Sequence, residues 1–249
     1  MPNPTILLRS HADPELTLRR IRKWHEANPE TTIVFYDGAG GRLGIRDDPG
    51  CNLVAFPDPR PQLYGYPQLF DAFRFISREF PGSFCHYTEY DSVPVKAGYL
   101  DRLEVHPGMV LAGESHDFGA PGFRDSFEEC RYRAVEVVGK ILNVPVRMSY
   151  AFGPSIILGA QCVKYLGMFD AEDFERHIFP GLDRIRKGYS YDEVIMMSLL
   201  AGQGFVRKFN PAAKYILFEP CDERRFREAQ ADGEAFAVHA VKTDEPWAR

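Results

Sequence analysis

The chain has 249 residues, of which 45% are hydrophobic, 13% aromatic and 26% charged. This composition is typical of a globular protein, and it excludes a disordered tail, a collagen-like rod and a low-complexity polymer. The 30 basic and 35 acidic residues leave a formal net charge of −5. No basic patch stands out, so we expect neither a nucleic-acid partner nor an anionic membrane surface as a partner.

The cysteines and the hydropathy pattern predict a cytoplasmic protein. The five cysteines lie far apart and form no CxxC pair, so neither a disulfide framework nor a structural zinc site is expected. The N-terminus has no charged leader, and no apolar stretch approaches the ~20 residues that span a bilayer. We therefore expect no cleaved signal and no transmembrane segment.

Strands and helices alternate along residues 1–95. The apolar run Thr5–Leu8 predicts a strand, and Asp13-Pro14-Glu15 combines the N-cap, the first-turn proline and the acid that begin a helix. The alternation predicts βαβ units with right-handed crossovers and parallel strands. The further predicted strands are Thr31–Tyr36, Asn52–Phe56 and Ser83–Thr88, and the second helix carries Leu69, Phe73, Ile76 and Phe80 on one face.

Residues 96–249 are less regular. They contain no internal repeat and no linker rich in Pro, Gly or Ser, so we expect one α/β domain over 1–249, with a nucleotide-binding half at 1–95 and an acceptor-side half at 96–249. The predicted elements are a strand at Met109–Ala112, a helix carrying Phe127, Cys130, Ala134, Val138 and Ile141, a turn at Gly153, an apolar segment Ile156–Leu166, helices at Glu172–Lys187 and Tyr191–Gly202, and short strands at Tyr215–Phe218 and Ala235–His239.

Polar side chains follow three of the predicted parallel strands. Ser10 and His11 follow the first, Asp37 follows the second, and Glu89 and Asp91 follow the fourth. Parallel sheets bind ligands at the carboxyl ends of their strands. Two carboxylates one residue apart offer the hard oxygen ligands that suit Mg²⁺ or Mn²⁺, and such an ion screens a diphosphate. Two acids at this spacing also occur by chance, so the position after an apolar strand is what favours function.

Three common nucleotide and hydrolase motifs are missing. Gly38–Gly44 has Leu43 where a dinucleotide fingerprint needs its third glycine, and no helix is predicted after it, so we interpret it as a tight turn. The sequence has neither GxxxxGK[ST] nor GxSxG. P-loop phosphoryl transfer and the commonest serine hydrolase design are therefore excluded.

Two further groups each admit two interpretations. Ser190 with Glu193 is a capping box at the start of the last long helix, or else Asp192 or Glu193 is a general base. His239 can ligate a metal ion and Lys242 can neutralise a phosphate, or both can lie at an ordinary surface.

Taken in order, these segments resemble the GT-A fold family of nucleotide-sugar glycosyltransferases. Thr31–Asp37 resembles the second-strand segment that ends in a nucleoside-contacting Asp, and Glu89-Tyr-Asp91 resembles the DxD metal motif with Glu in first place. Ala151–Leu166, which includes Gly153, is similar to the small-residue loop and its helix. Asp192–Gly204 resembles the xED helix with the acids reversed, and His239 with Lys242 resembles the C-terminal metal-ligand region.

The resemblance implies a GT-A-like fold and a metal-dependent enzyme that transfers a sugar from a nucleotide diphosphate sugar to a hydroxyl acceptor with inversion. It implies Mn²⁺ or Mg²⁺ held by Asp91, Glu89 and His239, with Glu193 or Asp192 as the base. Alignment on the apolar residue after the acid pair favours Glu193. The implied substrate-binding residues are Ser10, His11, Asp37, Gly153 and Lys242.

Two alternatives share this fold. A sugar-1-phosphate nucleotidyltransferase needs a Gly- and Arg-rich loop with a Lys after the first strand, and Ser10–Pro14 is not such a loop. A catalytically inactive sugar-nucleotide-binding or scaffold protein stays open. Acceptor choice is expected to depend on the loops Pro57–Pro67 and Glu114–Arg124.

Overall fold

The computed structural model describes residues 3–57, 68–113, 115–117, 126–178 and 191–242. Within these ranges no helix has both the length and the apolar character needed to cross a bilayer. The strands are β1 Thr5–Ser10, β2 Thr32–Asp37, β3 Leu53–Ala55, β4 Cys85–Glu89, β5 Val93–Pro94, β6 Met109–Ala112, β7 Ser115–Asp117, β8 Ser149–Ala151, β9 Ile157–Leu158, β10 Val206–Phe209 and β11 Ala237–Val238. The helices are α1 Pro14–Ala27, α2 Gln68–Glu79, α3 Ser126–Leu142, α4 Ala160–Leu166, α5 Ala171–Asp173 with the π-helical Phe174–Ile178, α6 Met196–Gly202 with the π-helical Tyr191–Ile195 before it, and α7 Glu223–Ala231.

The main sheet of the described residues has seven strands in the order β10-β6-β9-β4-β1-β2-β3. Neighbouring strands run parallel except at β9, which is antiparallel to both β4 and β6. The first four strands of the chain therefore lie side by side, as the alternation of strand and helix predicts. The predicted fold class, a mostly parallel sheet flanked by helices, is confirmed.

Alternation along the buried strands divides the core between the two faces of the sheet. Leu7 of β1 packs on the face that α2 covers, whereas Ile6 and Leu8 pack on the face that Ile21 and Trp24 of α1 cover. Successive side chains of a strand point to opposite faces. The side chains of Arg9 and Ser10, at the end of β1, therefore point to opposite faces of the sheet. This determines which of the two lies at the candidate functional site described below.

Helix α1 begins where the sequence predicts. The Asp13 carboxylate accepts hydrogen bonds from the backbone N–H groups of Glu15 (2.9 Å) and Leu16 (3.0 Å), and Pro14 is the first helical residue. On its buried face the Trp24 indole N–H donates to the carbonyl of Ser92 at 3.3 Å. The helix thus holds the turn that follows β4.

The later elements depart from prediction in four places. Ile156–Leu166 divides into β9 and α4 at Gly159, where a Cβ would lie 2.3 Å from the His106 carbonyl oxygen. Tyr215–Phe218 is not a strand, because only an isolated bridge joins Ile216 to His239. The sequence does not predict strand β10 or helix α7, since β10 has only four residues, three of them exposed, and α7 is mostly polar.

Some predicted features lie outside the described residues. They are most of the loops Pro57–Pro67 and Glu114–Arg124, the later part of Glu172–Lys187, the N-cap residue Ser190 and the side chains of Cys130 and Asp192. The described part of Glu114–Arg124 is not a loop, because Ser115–Asp117 forms strand β7 and pairs with β8.

Buried His86 is expected to make stability depend on pH. Its ring lies between Trp24 and Phe236 and is fully buried, and burial lowers its pKa from 6.5 to about 4. Below pH 6.5 the unfolded chain binds a proton that the folded protein accepts only near pH 4, so the free energy of unfolding falls as the pH falls through this window. This difference in pKa between the unfolded and the folded chain corresponds to about 3 kcal/mol of unfolding free energy.

The measurement is urea unfolding between pH 7 and pH 4 for the wild type and His86→Phe. Phenylalanine fits an aromatic surrounding, and the Ile156 carbonyl keeps its hydrogen bond from the Tyr87 N–H at 3.0 Å. The variant should show a shallower loss of stability over this range. Equal slopes for the two proteins would remove His86 as the cause.

Candidate functional site

The turn after β4 holds a buried carboxylate at the carboxyl edge of the sheet. The Tyr90 N–H donates to the Arg9 carbonyl and the Ser92 N–H donates to the Glu89 carbonyl, each at 3.0 Å. These bonds fix the backbone on both sides of Asp91, whose side chain is only 5% exposed. The turn therefore presents Asp91 at an edge where parallel sheets bind ligands.

A segment from the far end of the chain brings a histidine to this turn. The Val241 N–H donates to the Asp91 carbonyl at 2.7 Å. The His239 Nδ1 lies 2.7 Å from the Leu217 carbonyl oxygen and donates to it, which leaves Nε2 facing Asp91 Oδ1 at 3.1 Å. A backbone carbonyl that orients a histidine in this way is typical of metal-binding sites.

Glu89, Asp91 and His239 form the cluster that we call the carboxylate–histidine group. Each offers one ligand atom, and these atoms all lie within 4.8 Å of one another. Asp91 Oδ1 is buried and lies in ion-pair contact with His239 Nε2. Burial opposes the charged form of His239, but its contact with Asp91 and the charge of that carboxylate prevail and raise its pKa.

Arg9 is a member of the site that sequence reasoning missed. It is 3% exposed and forms an ion pair with Glu89, its register partner on β4. Its guanidinium lies 5.9 Å from the centre of the Tyr87 ring, whose hydroxyl donates to Glu89 at 3.3 Å. The pair fixes the position of the Glu89 carboxylate.

A cavity of about 190 Å³ lies over the carboxylate–histidine group. It gathers six of the residues that the sequence singled out, together with four that it did not. The predicted ones are His11, Glu89, Asp91, Glu193, His239 and Lys242, and the others are Arg9, Phe152, Pro154 and Phe218.

Glu193 reaches the cavity from the segment that leads into α6. Its carboxylate accepts a hydrogen bond from the Gly153 N–H at 3.4 Å. Gly153 is buried in the turn between β8 and β9, so it contacts the site through Glu193.

Ser10 and Asp37 do not line this cavity. The Ser10 hydroxyl bonds to that of Thr17 at 2.7 Å, and Asp37 accepts hydrogen bonds from the N–H groups of Ala39 and Leu43, both at 2.8 Å. The two are register partners at the carboxyl edge, but Asp37 lines a separate cavity of about 380 Å³. Alternation from Leu8 explains why Ser10 turns towards α1 and away from Arg9.

No protein-family model matches the chain, and no curated protein matches it in sequence. Several solved structures resemble it, and glycosyltransferases are among them. The galactosyltransferase LgtC, crystallised with donor and acceptor sugar analogues, aligns at 12% identity and a TM-score of 0.45 over 98% of this chain and 89% of that chain. GlyE of Streptococcus pneumoniae TIGR4 aligns at 12% identity and a TM-score of 0.46 over 99% of this chain.

The bifunctional glycosyltransferase WbbM aligns at 12% identity and a TM-score of 0.39 over 99% of this chain. The chain covers 56% of GlyE and 47% of WbbM, about half the length of each. Such distant likenesses carry no assignment of residues or chemistry. Function therefore has to be inferred from the site itself.

Proposed function

We propose that the protein is a metal-dependent glycosyltransferase that moves a sugar from a nucleotide diphosphate sugar to a hydroxyl acceptor. The observation that carries the proposal is the Asp91 carboxylate. It is buried, its Oδ1 pairs with His239 Nε2 at 3.1 Å, and it offers its oxygen within 4.8 Å of the ligand atoms of Glu89 and His239. A divalent cation bound there would compensate the negative charge of both carboxylates.

The donor set fits a divalent cation. Asp91 and Glu89 offer carboxylate oxygens and His239 offers an imidazole nitrogen. Oxygen ligands suit both Mg²⁺ and Mn²⁺, and the imidazole favours Mn²⁺. When bound, the ion supplies positive charge that stabilises a leaving diphosphate. Lys242 lines the same cavity and would pair with the diphosphate oxygens.

Glu193 is the proposed general base. It lies in the cavity and is held by the Gly153 N–H, so its carboxylate can accept the proton of an acceptor hydroxyl. Asp192 is the second candidate. A base that activates the acceptor for direct attack gives inversion at the anomeric carbon, and NMR of the first-formed product would report retention instead if this assignment is wrong.

The donor nucleoside is proposed to lie on the β2 side of the site. His11 lines the main cavity, and Asp37 orders the loop beside the neighbouring one through its bonds to Ala39 and Leu43. Ser10 would support His11 from within β1. A catalytically inactive sugar-nucleotide-binding or scaffold protein of the same fold is the alternative, and metal-dependent hydrolysis of the donor without an acceptor would exclude it.

Nucleotide binding is expected to depend on metal. At a concentration one hundred times its Kd, a ligand stabilises the folded state by about 2.7 kcal/mol. Thermal melts with UDP-, GDP- and dTDP-sugars, each with Mn²⁺, with Mg²⁺ and with EDTA, should reveal one nucleotide that raises Tm only when metal is present. The proposal would be contradicted if none of the three nucleotide sugars raised Tm with either ion, or if the rise in Tm were the same in EDTA.

A further inference from the structure

Phe218 combines exposure with a place in the site. Its side chain is 77% exposed, the highest fraction among the large hydrophobic residues of the described ranges. It also lines the cavity over the carboxylate–histidine group. Covering an exposed aromatic side chain is favourable because it removes apolar surface from water. A ligand bound in this cavity would cover Phe218.

The backbone beside Phe218 is held in place from two directions. The preceding Leu217 carbonyl accepts the hydrogen bond from His239 Nδ1 at 2.7 Å. A few residues later, the Cys221 N–H donates to the Ala240 carbonyl at 3.0 Å. The segment that orients the histidine therefore also fixes where Phe218 emerges.

Phe152 supports the exposed ring from below. It is 4% exposed, and it meets Phe218 edge-on with ring centres 6.3 Å apart. The same Phe152 ring meets His239 edge-on at 5.1 Å. Phe218 is thus a supported aromatic surface next to the proposed metal.

Phe218 stands on the side of the site that carries the proposed base. In the sheet order, β2 with Asp37 lies on one side of β4, and β9 lies on the other. Phe152 and Pro154 come just before β9, and Gly153 between them bonds to Glu193. Phe218 packs on Phe152, so it stands beside the proposed base and away from the proposed nucleoside side.

We propose that Phe218 is the platform on which a sugar ring of the acceptor stacks, so that the acceptor is a saccharide. A pyranose has an apolar C–H face and a hydroxyl-bearing edge, and the negative face of an aromatic ring attracts the C–H face. Stacking there directs a hydroxyl of the ring edge towards Glu193. The inference rests on the proposed glycosyl transfer and names its acceptor class.

The test is saturation-transfer NMR with the methyl glycosides of glucose, galactose, mannose and N-acetylglucosamine, and with lactose, in the presence of UDP and Mn²⁺. Wild type should bind at least one of them through its ring C–H protons. Phe218→Ala should weaken that binding about tenfold, the loss expected for one aromatic contact, and Phe218→Trp should keep it. Phe209→Ala is the matched control, because Phe209 is 65% exposed but lies on the edge strand β10.

UDP affinity measured on the same variants separates the possible failures. It should be the same in Phe218→Ala and wild type. Equal loss of UDP and glycoside binding in Phe218→Ala would assign the Phe218 ring to the nucleotide. Undiminished glycoside binding by Phe218→Ala, or no glycoside binding by the wild type, would overturn the proposal that Phe218 is an acceptor platform. Absence of any metal-dependent binding of UDP, GDP or dTDP would instead count against the proposed glycosyl transfer.

Discussion

Asp91→Asn is expected to remove most of the metal-dependent nucleotide binding. The amide has nearly the same shape as the carboxylate but carries no charge, and a divalent cation on a diphosphate needs that charge. Because Asp91 Oδ1 is buried and pairs with His239 Nε2 at 3.1 Å, the substitution should also lower the stability of the unliganded protein, since it removes one charge of a buried pair. Titration calorimetry with Mn²⁺ and the bound nucleotide measures the first effect, and thermal melting measures the second.

Asp101→Asn is the matched control for this change. Asp101 accepts a hydrogen bond from the Thr31 hydroxyl at 2.8 Å and does not line the cavity. Its substitution should cost some stability and leave metal-dependent binding intact. Wild-type binding by Asp91→Asn would remove Asp91 from the metal site.

Glu193→Gln is expected to slow transfer by about 10²–10⁴-fold, the usual contribution of a general base. Glutamine can still accept the hydrogen bond that the Gly153 N–H gives to Glu193, and it can still serve in a capping box. The melting temperature and the nucleotide affinity should therefore stay close to those of the wild type. Turnover is measured beside nucleotide affinity, with the saccharide identified by NMR as the acceptor.

Asp192→Asn is tested in parallel, because the order of the two acids leaves the base open. Glu228→Gln is a suitable control, since Glu228 pairs with Arg224 on the exposed face of α7. One of the two site variants should lose transfer while the control keeps it. Full activity in both would leave this acid pair with a structural role, and the inverting mechanism would have no base.

The strands and helices that the sequence predicts well are those with local signals of their own. Asp13 and Pro14 mark the start of α1, and the spacing of Leu69, Phe73 and Ile76 marks the buried face of α2. Strand β9 has only two residues and joins directly to α4, so no period can develop. Its role depends on pairing with β4 and β6, which local sequence does not encode.

The site residues also divide into those that have a local signal in the sequence and those that do not. Glu89 and Asp91 are visible because they stand one residue apart at the end of an apolar strand. The sequence does not distinguish Arg9 from Ser10, because every residue of β1 is buried and no alternation assigns the two residues to faces. Strand alternation from Leu7 would place Arg9 on the same face of the sheet as Tyr87 and Glu89. Phe218 carries no local signal, since its position depends on the bridge between Ile216 and His239.

The position of β9 limits where this chain can be divided. Strands β4 and β6 never touch directly, because Ile157–Leu158 lies between them and hydrogen-bonds to both. A fragment that stops before residue 157 would leave the inner edge of β4 open, with its backbone N–H and C=O groups available to any other extended chain. Expression boundaries therefore have to keep residues 85–89 and 157–158 in one polypeptide, in line with the absence of a linker between the two halves of the sequence.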